Sequence, residues 1–412
     1  MPGAAYPPEL AQYVVDHWPT GTPLRISREA LAEILSIAFQ TSLTSEEARA
    51  LRFRLLLSEP DRLPEDGAPN VGVLRLRFER PRGFTVDELR RLAPATPFES
   101  SLIGVAPKDG RISIWGVAHS GPAWLAPAWG GRSVVPIWTH DPIVHVGGPG
   151  QLAVRTAGKL VGGLERGALL DTTMDVFESQ WLRAAFARQQ GPVSGSPAAE
   201  GSLIGLVSQH MLRRCIQIIR GGHHGGMLLL ADSSCVPGMG TPDVDLSELR
   251  LKFRFVADEP SRRYRGLLSS IVEHVSRAST NAAPEWADFA SSDSHDLAKL
   301  EQAVFEWSRL VGNLAAIDGA VVLDKHFALV GFGAEVSTER SGPGHVHRAL
   351  DVEGRRREKR DIEHVGTRHR AAYRFVHGHP HGLAIVISQD GGVTFVAKRG
   401  DDVVFWEQSV GF

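Results

Sequence analysis

One stretch constrains the fold more tightly than any other. Between Leu203 and Ile219 the apolar residues Leu203, Ile204, Val207, Met211, Leu212, Cys215, Ile218 and Ile219 recur at helical spacing, so one side of a helix must be buried. Glycines at 221, 222, 225 and 226 end that pattern. Met227-Leu228-Leu229-Leu230 follows, too short for a helix and suited to a buried strand. Helix, glycine turn and apolar strand in succession begin an α/β domain.

Just upstream, GPVSGSPAAEG (191–201) has linker composition. A chain of 412 residues exceeds one ordinary core, so the linker is expected to divide it. Residues 1–190 form the first region, α+β with a small β-rich module at about 100–170. Residues 202–412 form an α/β domain, a mixed sheet with flanking helices. In the first region Ser27 is placed to cap a helix carrying Leu31, Ile34 and Leu35, and a second helix is expected from Thr44 through Leu55. Thr85 caps a short helix, and Asp109-Gly110 between two apolar runs predicts a hairpin. Trp115, Trp124, Trp129 and Trp138 cluster in the β-rich module, either as core or as a ligand platform. In the second region, further helices are expected at 264–277 and before Ile317, with strands near 249–256, 384–387, 393–396 and 403–406. Ser337–Glu363 reads as a hydrophilic excursion.

Composition excludes several classes. Net charge of −2 gives no field to attract nucleic acid. Two cysteines without metal-ligand spacing exclude a disulfide framework and suggest a reducing cytosol. No run of 18 apolar residues and no signal-peptide pattern occurs, so a soluble cytoplasmic protein without a membrane partner is expected. Ser120 and Ser234 lack a nucleophile-elbow setting.

Two short pieces carry the chemistry. Asp318-Gly319-Ala320 stands where an apolar helix gives way to Val321-Val322-Leu323. A carboxylate there can hold Mg²⁺ or Mn²⁺, and Gly319 lets a ligand approach the backbone; alternatively Asp-Gly is a plain turn. Gly366-Thr367-Arg368-His369-Arg370-Ala371-Ala372 opens a helix for which Thr367 is a candidate cap. Free N–H groups and two guanidiniums at a helix start suit a polyphosphate, though such a triplet also occurs as surface charge.

Together these pieces resemble the two signature motifs of the diadenylate cyclase (DAC, DisA N-terminal) domain. The resemblance spans roughly residues 200–412 and includes Ala384–Gly392, AIVISQDGG, in the place of the family's V-S-E-E-T-G. Gln389 stands where many members have glutamate. The resemblance implies a domain that joins two ATP molecules into cyclic di-AMP with release of pyrophosphate. It also implies a divalent metal, one ATP per protomer, and two protomers meeting face to face. Carried over, Asp318 serves the metal and the 3′-hydroxyl, and Gly319 and Ala320 line the nucleotide pocket. Gly366, Thr367, Arg368, His369 and Arg370 hold phosphates, with Ser388 and Gln389 nearby. The other reading is a receptor that binds nucleotide without turnover. Residues 102–170, with GVAHSGPAW and VHVGGPGQLAV, resemble the sensor modules found upstream of some such cyclases, which implies an unidentified ligand for the first region.

Other clusters have bland readings beside functional ones. His377, His379 and His381 alternate and could bind a metal or form a solvated turn. His223-His224 has the same two readings, and His345 and His347 fall in the excursion. Arg355 to Arg360 is either a phosphate-binding run or a solvated basic loop.

Overall fold

The computed structural model describes residues 4–63, 73–98, 100–108, 110–119, 140–157, 159–165, 167–170, 172, 174–188, 203–222, 224–231, 249–255, 259–279, 284–292, 294–324, 327, 329–337, 342–363 and 365–408. The chain is mixed α/β and divides into two compact units, Met1–Thr172 and Thr173–Val410.

The first unit opens with α1 (Pro7–Asp16) and α2 (Arg28–Ser42), and Ser27 does cap α2 by accepting from Ala30 N–H. The helix expected at 44–55 is absent. Glu47 and Ala48 adopt positive φ (49° and 63°), which reverses the chain between β1 (Ser45–Glu46) and β2 (Arg49–Ala50). β3 (Phe53–Leu57) follows, buried along its whole length. Then come β4 (Leu74–Gly83) and α3 (Val86–Leu92), capped by Thr85. The strands β5 (Ser101–Lys108), β6 (Arg111–His119), β7 (Ile143–Gly148), β8 (Gln151–Thr156), β9 (Lys159–Glu165) and β10 (Ala168–Leu169) complete the unit. Among the described residues they form one sheet, ordered β10-β9-β8-β7-β3-β5-β6-β4. The expected hairpin is β5–β6, with Gly110 at φ 74°. The helices bury Leu10, Leu31, Ile34 and Leu89 on one face against Leu55, Ile103 and Val144. Trp115 is core, its Nε1 donating to the Ser58 carbonyl at 2.8 Å. The other three tryptophans of that module lie outside the described residues, as does the 191–201 linker.

The second unit begins earlier than the sequence reading placed it. Its first helix, α4 (Gln180–Arg188), belongs here because Trp181 stacks on Trp406 with centroids 4.5 Å apart and donates from Nε1 to the Val352 carbonyl. Next come α5 (Leu203–Gly221), β11 (Gly226–Ala231), β12 (Leu249–Arg254), α6 (Glu259–Ala278), α7 (Trp286–Ser291) and α8 (His295–Leu314). They are followed by β13 (Ala320–Asp324), β14 (Leu329–Val336), β15 (Val346–Ala349), β16 (Arg357–Arg360), α9 (Thr367–Gly378), β17 (Leu383–Ile387), β18 (Val393–Arg399) and β19 (Asp402–Gln408). The sheet order is β12-β14-β13-β11-β17-β18-β19-β15-β16. Alternating side chains of the central strands feed two cores. Leu228, Leu230, Val321 and Ile385 meet α5, α6 and α8, while Met227, Leu229, Val322 and Val386 meet α9. The hydrophilic excursion is not a loop throughout. It forms β15 and β16, and the basic run supplies the charged outer strand that keeps a sheet edge unattractive to other chains.

α5 also carries a pH-sensitive packing contact. His210 stacks on Trp286 at 4.2 Å, and its Nδ1 is buried without a hydrogen bond among the described residues. Burial, then the charges of Arg213 and Arg214, push its pKa down to about 3. In the unfolded chain the ring titrates near 6.5, so protons bind preferentially to that state below this pH. Stability contributed by neutral His210 is complete above pH 6.5 and is lost as pH falls toward 3. At pH 5 the loss is at most about 2 kcal/mol, the ring being partly exposed. Urea titration at pH 7.5 and 5 should show a larger acid loss in the wild type than in His210→Phe; equal losses would exonerate the residue.

Candidate functional site

Asp318 and Gly319 form the turn between α8 and β13. Gly319 has φ 116°, and a Cβ on it would stand 2.5 Å from the Gly333 carbonyl carbon, so no side chain fits. β13 runs parallel to β11 with Leu228 opposite Val321. Carrying that register back two residues sets Gly226 level with Gly319, with backbones about 5 Å apart. On the other side of β11, Ile387 at the end of β17 pairs with Gly226. Gly225 precedes β11 at φ 65°. A Cβ there would lie 2.8 Å from Arg368 Nη1, 2.9 Å from the Ile387 carbonyl oxygen and 3.1 Å from Gln389 N. Thus the starts of β11 and β13, the end of β17 and the first turn of α9 gather at one rim of the sheet.

The predicted residues differ in what they do there. Asp318 is exposed and, among the described residues, makes no hydrogen bond or close ion pair. Arg368 lies against Gly225, and Arg370 occupies the same first turn of α9, partly exposed. No ion pair joins either arginine to Asp318, so among the described residues these charges are not spent on each other. Ser388 and Gln389 enter the β17–β18 turn, which closes through Ser388 N–H to the Gly392 carbonyl. Arg220 in the last turn of α5 holds the same turn, donating from Nε to the Gly391 carbonyl at 2.8 Å.

Three of the expected residues are placed differently from one another. Thr367 is not the cap of α9: the helix begins at Thr367 itself, Gly366 is the N-cap, and no side chain caps it. Among the described residues its exposed hydroxyl and the first N–H groups of that turn therefore remain open to an anion. His369 lies against the sheet, its Nε2 3.3 Å from Thr394 Oγ1. Burial lowers its pKa against the opposing pull of Glu407 and Asp390, which favours the neutral ring. Ala320 is core, 1% exposed, and packs beneath α9 instead of lining a pocket.

Lys252 escaped the sequence reading. It pairs with Glu335 at 2.9 Å, and its pKa is raised by that hydrogen bond and further by the charges of Glu335 and Asp318. The alternation Arg250-Leu251-Lys252-Phe253-Arg254 signalled a basic strand face, but nothing in the sequence tied it to Asp318. His377 is within α9 and His379 caps its end, so with His381 they do not share one side of an extended chain. Cys215 is buried and its thiol is pushed up to about 12, which makes it inert.

The first unit holds a cavity of about 320 Å³. Arg25, Ser58, Glu59, Arg62 and Asp141 meet there with apolar walls such as Leu57 and Val105. Asp141 is 3% exposed and is held by Ser58 Oγ at 2.5 Å and Arg62 Nε at 3.0 Å.

Residues 24–119 match the model of a family described as Probable sensor domain DACNV, a class associated with diadenylate cyclases. The match overlaps the 102–170 module only over its first part, so the matched segment lies further toward the N-terminus than the phrase VHVGGPGQLAV suggested. No diadenylate cyclase catalytic domain was matched, and no curated protein and no solved structure matches the chain. Among the described residues no helix is long and apolar enough to cross a membrane.

Proposed function

We propose that the second unit is a diadenylate cyclase, condensing two ATP into cyclic di-AMP and two pyrophosphates, and that the first unit regulates it by sensing a ligand. The observation that carries this reading is the rim on which Asp318-Gly319, Gly225, Arg368 and Ser388-Gln389 converge. In each transfer the 3′-hydroxyl oxygen of one ATP bonds to the α-phosphorus of the other. The bond to the β-phosphate oxygen breaks, pyrophosphate leaves with its electron pair, and the hydroxyl proton passes to solvent. Such a step is governed by positioning and charge neutralisation and needs no covalent nucleophile on the protein.

Asp318 fits Mg²⁺ or Mn²⁺, because a single accessible carboxylate supplemented by phosphate oxygens and water is a common way to hold such ions. The ion, when bound, would neutralise phosphate charge and favour ionisation of the 3′-hydroxyl. Arg368 and Arg370 would take phosphate oxygens on the other side, with the first N–H groups of α9 adding donors. Gly319 and Gly225 would let the nucleotide lie against the main chain. Each protomer would hold one ATP, and two would meet with these rims facing, in the cytoplasm. The cavity at Arg25 and Asp141 lies largely on the residues of the sensor match, which supports it as the site of the sensed ligand.

A second reading rests on Gln389, an amide where many cyclases carry a carboxylate: a receptor that holds nucleotide unchanged. Incubating the purified chain with ATP and Mn²⁺ should yield a product co-migrating with cyclic di-AMP. Tight ATP binding without that product would support the receptor and overturn the cyclase.

A further inference from the structure

We propose a second metal site, separate from Asp318, formed by His345, His347 and Asp402 and selective for a borderline cation such as Zn²⁺. Among the described residues these three bring one possible ligand atom each to within 4.8 Å of one another. The register explains why. β15 pairs in parallel with β19, His347 opposite Val404, so stepping back two residues on each strand sets His345 beside Asp402. Residues two apart on a strand share a face. Both imidazoles and the carboxylate therefore project to one side of the strand pair.

Two details separate this group from an ordinary surface cluster. Among the described residues the Nδ1 of His347 is buried and makes no hydrogen bond, and its acid partner, Asp402 Oδ1, stands 3.6 Å away. That gap is too long for a hydrogen bond. It is what two ligands, each about 2.0–2.2 Å from one cation, leave between them. The second detail is the carboxylate's orientation. Arg357 Nη1 donates to Asp402 Oδ2 at 2.9 Å, while its Nε donates to the Gly354 carbonyl, so Oδ1 is left directed toward His347. An outer partner of this kind fixes a ligand's aim. The His345 ring lies 5.2 Å from that of His347, edge to face, on the exposed side.

Two imidazole nitrogens and one carboxylate oxygen suit Zn²⁺, Ni²⁺ or Co²⁺, whereas Mg²⁺ and Ca²⁺ prefer oxygen throughout. Three protein ligands leave a fourth position for water. β15 and β19 share only two paired positions, His347–Val404 and Arg348–Phe405. A cation here would cross-link them and fix the polar excursion to the sheet.

The test uses the full-length, metal-stripped chain without nucleotide, titrated with Zn²⁺ alone by calorimetry and with Co²⁺ by visible absorption. Expected are one Zn²⁺ per chain, a tetrahedral Co²⁺ spectrum, and an upward shift in melting temperature on adding Zn²⁺. His345→Ala, an exposed position that leaves the core untouched, should weaken Zn²⁺ binding at least about tenfold and abolish the thermal shift. Asp402→Asn should do the same. His381→Ala, outside the cluster, should change neither. Equal Zn²⁺ affinity in wild type and His345→Ala, or no binding by the wild type, would overturn the site.

Discussion

Asp318→Asn is expected to reduce formation of cyclic di-AMP by about 10³-fold or more while leaving the fold intact. Metal-assisted charge stabilisation is worth several kcal/mol in a transition state, and each 1.36 kcal/mol is about tenfold in rate. The amide keeps the shape of the side chain but gives up the charge that would hold the cation. Asp318 is exposed and makes no hydrogen bond or close ion pair among the described residues, so unfolding free energy should change by no more than about 0.5 kcal/mol. Thin-layer or chromatographic assay of product, with circular dichroism and a melting curve on the same sample, separates the two effects. Undiminished turnover would remove Asp318 from the mechanism. Loss of turnover together with loss of fold would instead make it a structural residue.

Arg368→Ala should weaken ATP binding by about 10- to 100-fold, since a hydrogen bond to a charged group contributes roughly 1.5–3 kcal/mol. The loss should grow with the number of phosphates, ATP suffering more than AMP, because guanidinium contacts address the phosphate tail rather than the base. Competition binding of ATP, ADP and AMP to wild type and variant reads this directly. The same affinity for ATP in both proteins would deny Arg368 a phosphate. An equal loss for all three nucleotides would point to general collapse of the Gly225 contact instead.

Much of the second unit could be read from periodicity alone. The helix at 203–221, the glycine turn and the buried strand after it needed only the change from helical to strand patterning. The residues of the proposed site stand out where they are contiguous, as in Asp318-Gly319 and Arg368-His369-Arg370, because picking them out needs no tertiary register. What escaped depends on tertiary register or on backbone that breaks local rules. Thr44 to Leu55 has helical-looking spacing, but Glu47 and Ala48 take left-handed φ without a glycine to announce it. β16 reads Arg-Glu-Lys-Arg, a strand without apolar alternation because it lies at the sheet edge. Lys252 beside Asp318 follows from the β12–β14 pairing, which no spacing encodes. Thr367 had capping chemistry, yet Gly366 precedes it in extended conformation (φ −61°, ψ 160°) and takes the N-cap place.

The site stands at the beginnings of β11 and β13, whereas open parallel sheets usually carry ligands beyond the carboxyl ends of their strands. The carboxyl ends of those two strands therefore stand a strand's length away from the proposed nucleotide rim. One element that reaches the rim is α5, whose 19 residues make a rod about 28 Å long. Its last turn grips the β17–β18 hairpin through Arg220 and runs toward Gly225, so a displacement of that rod would be carried directly to the proposed nucleotide rim.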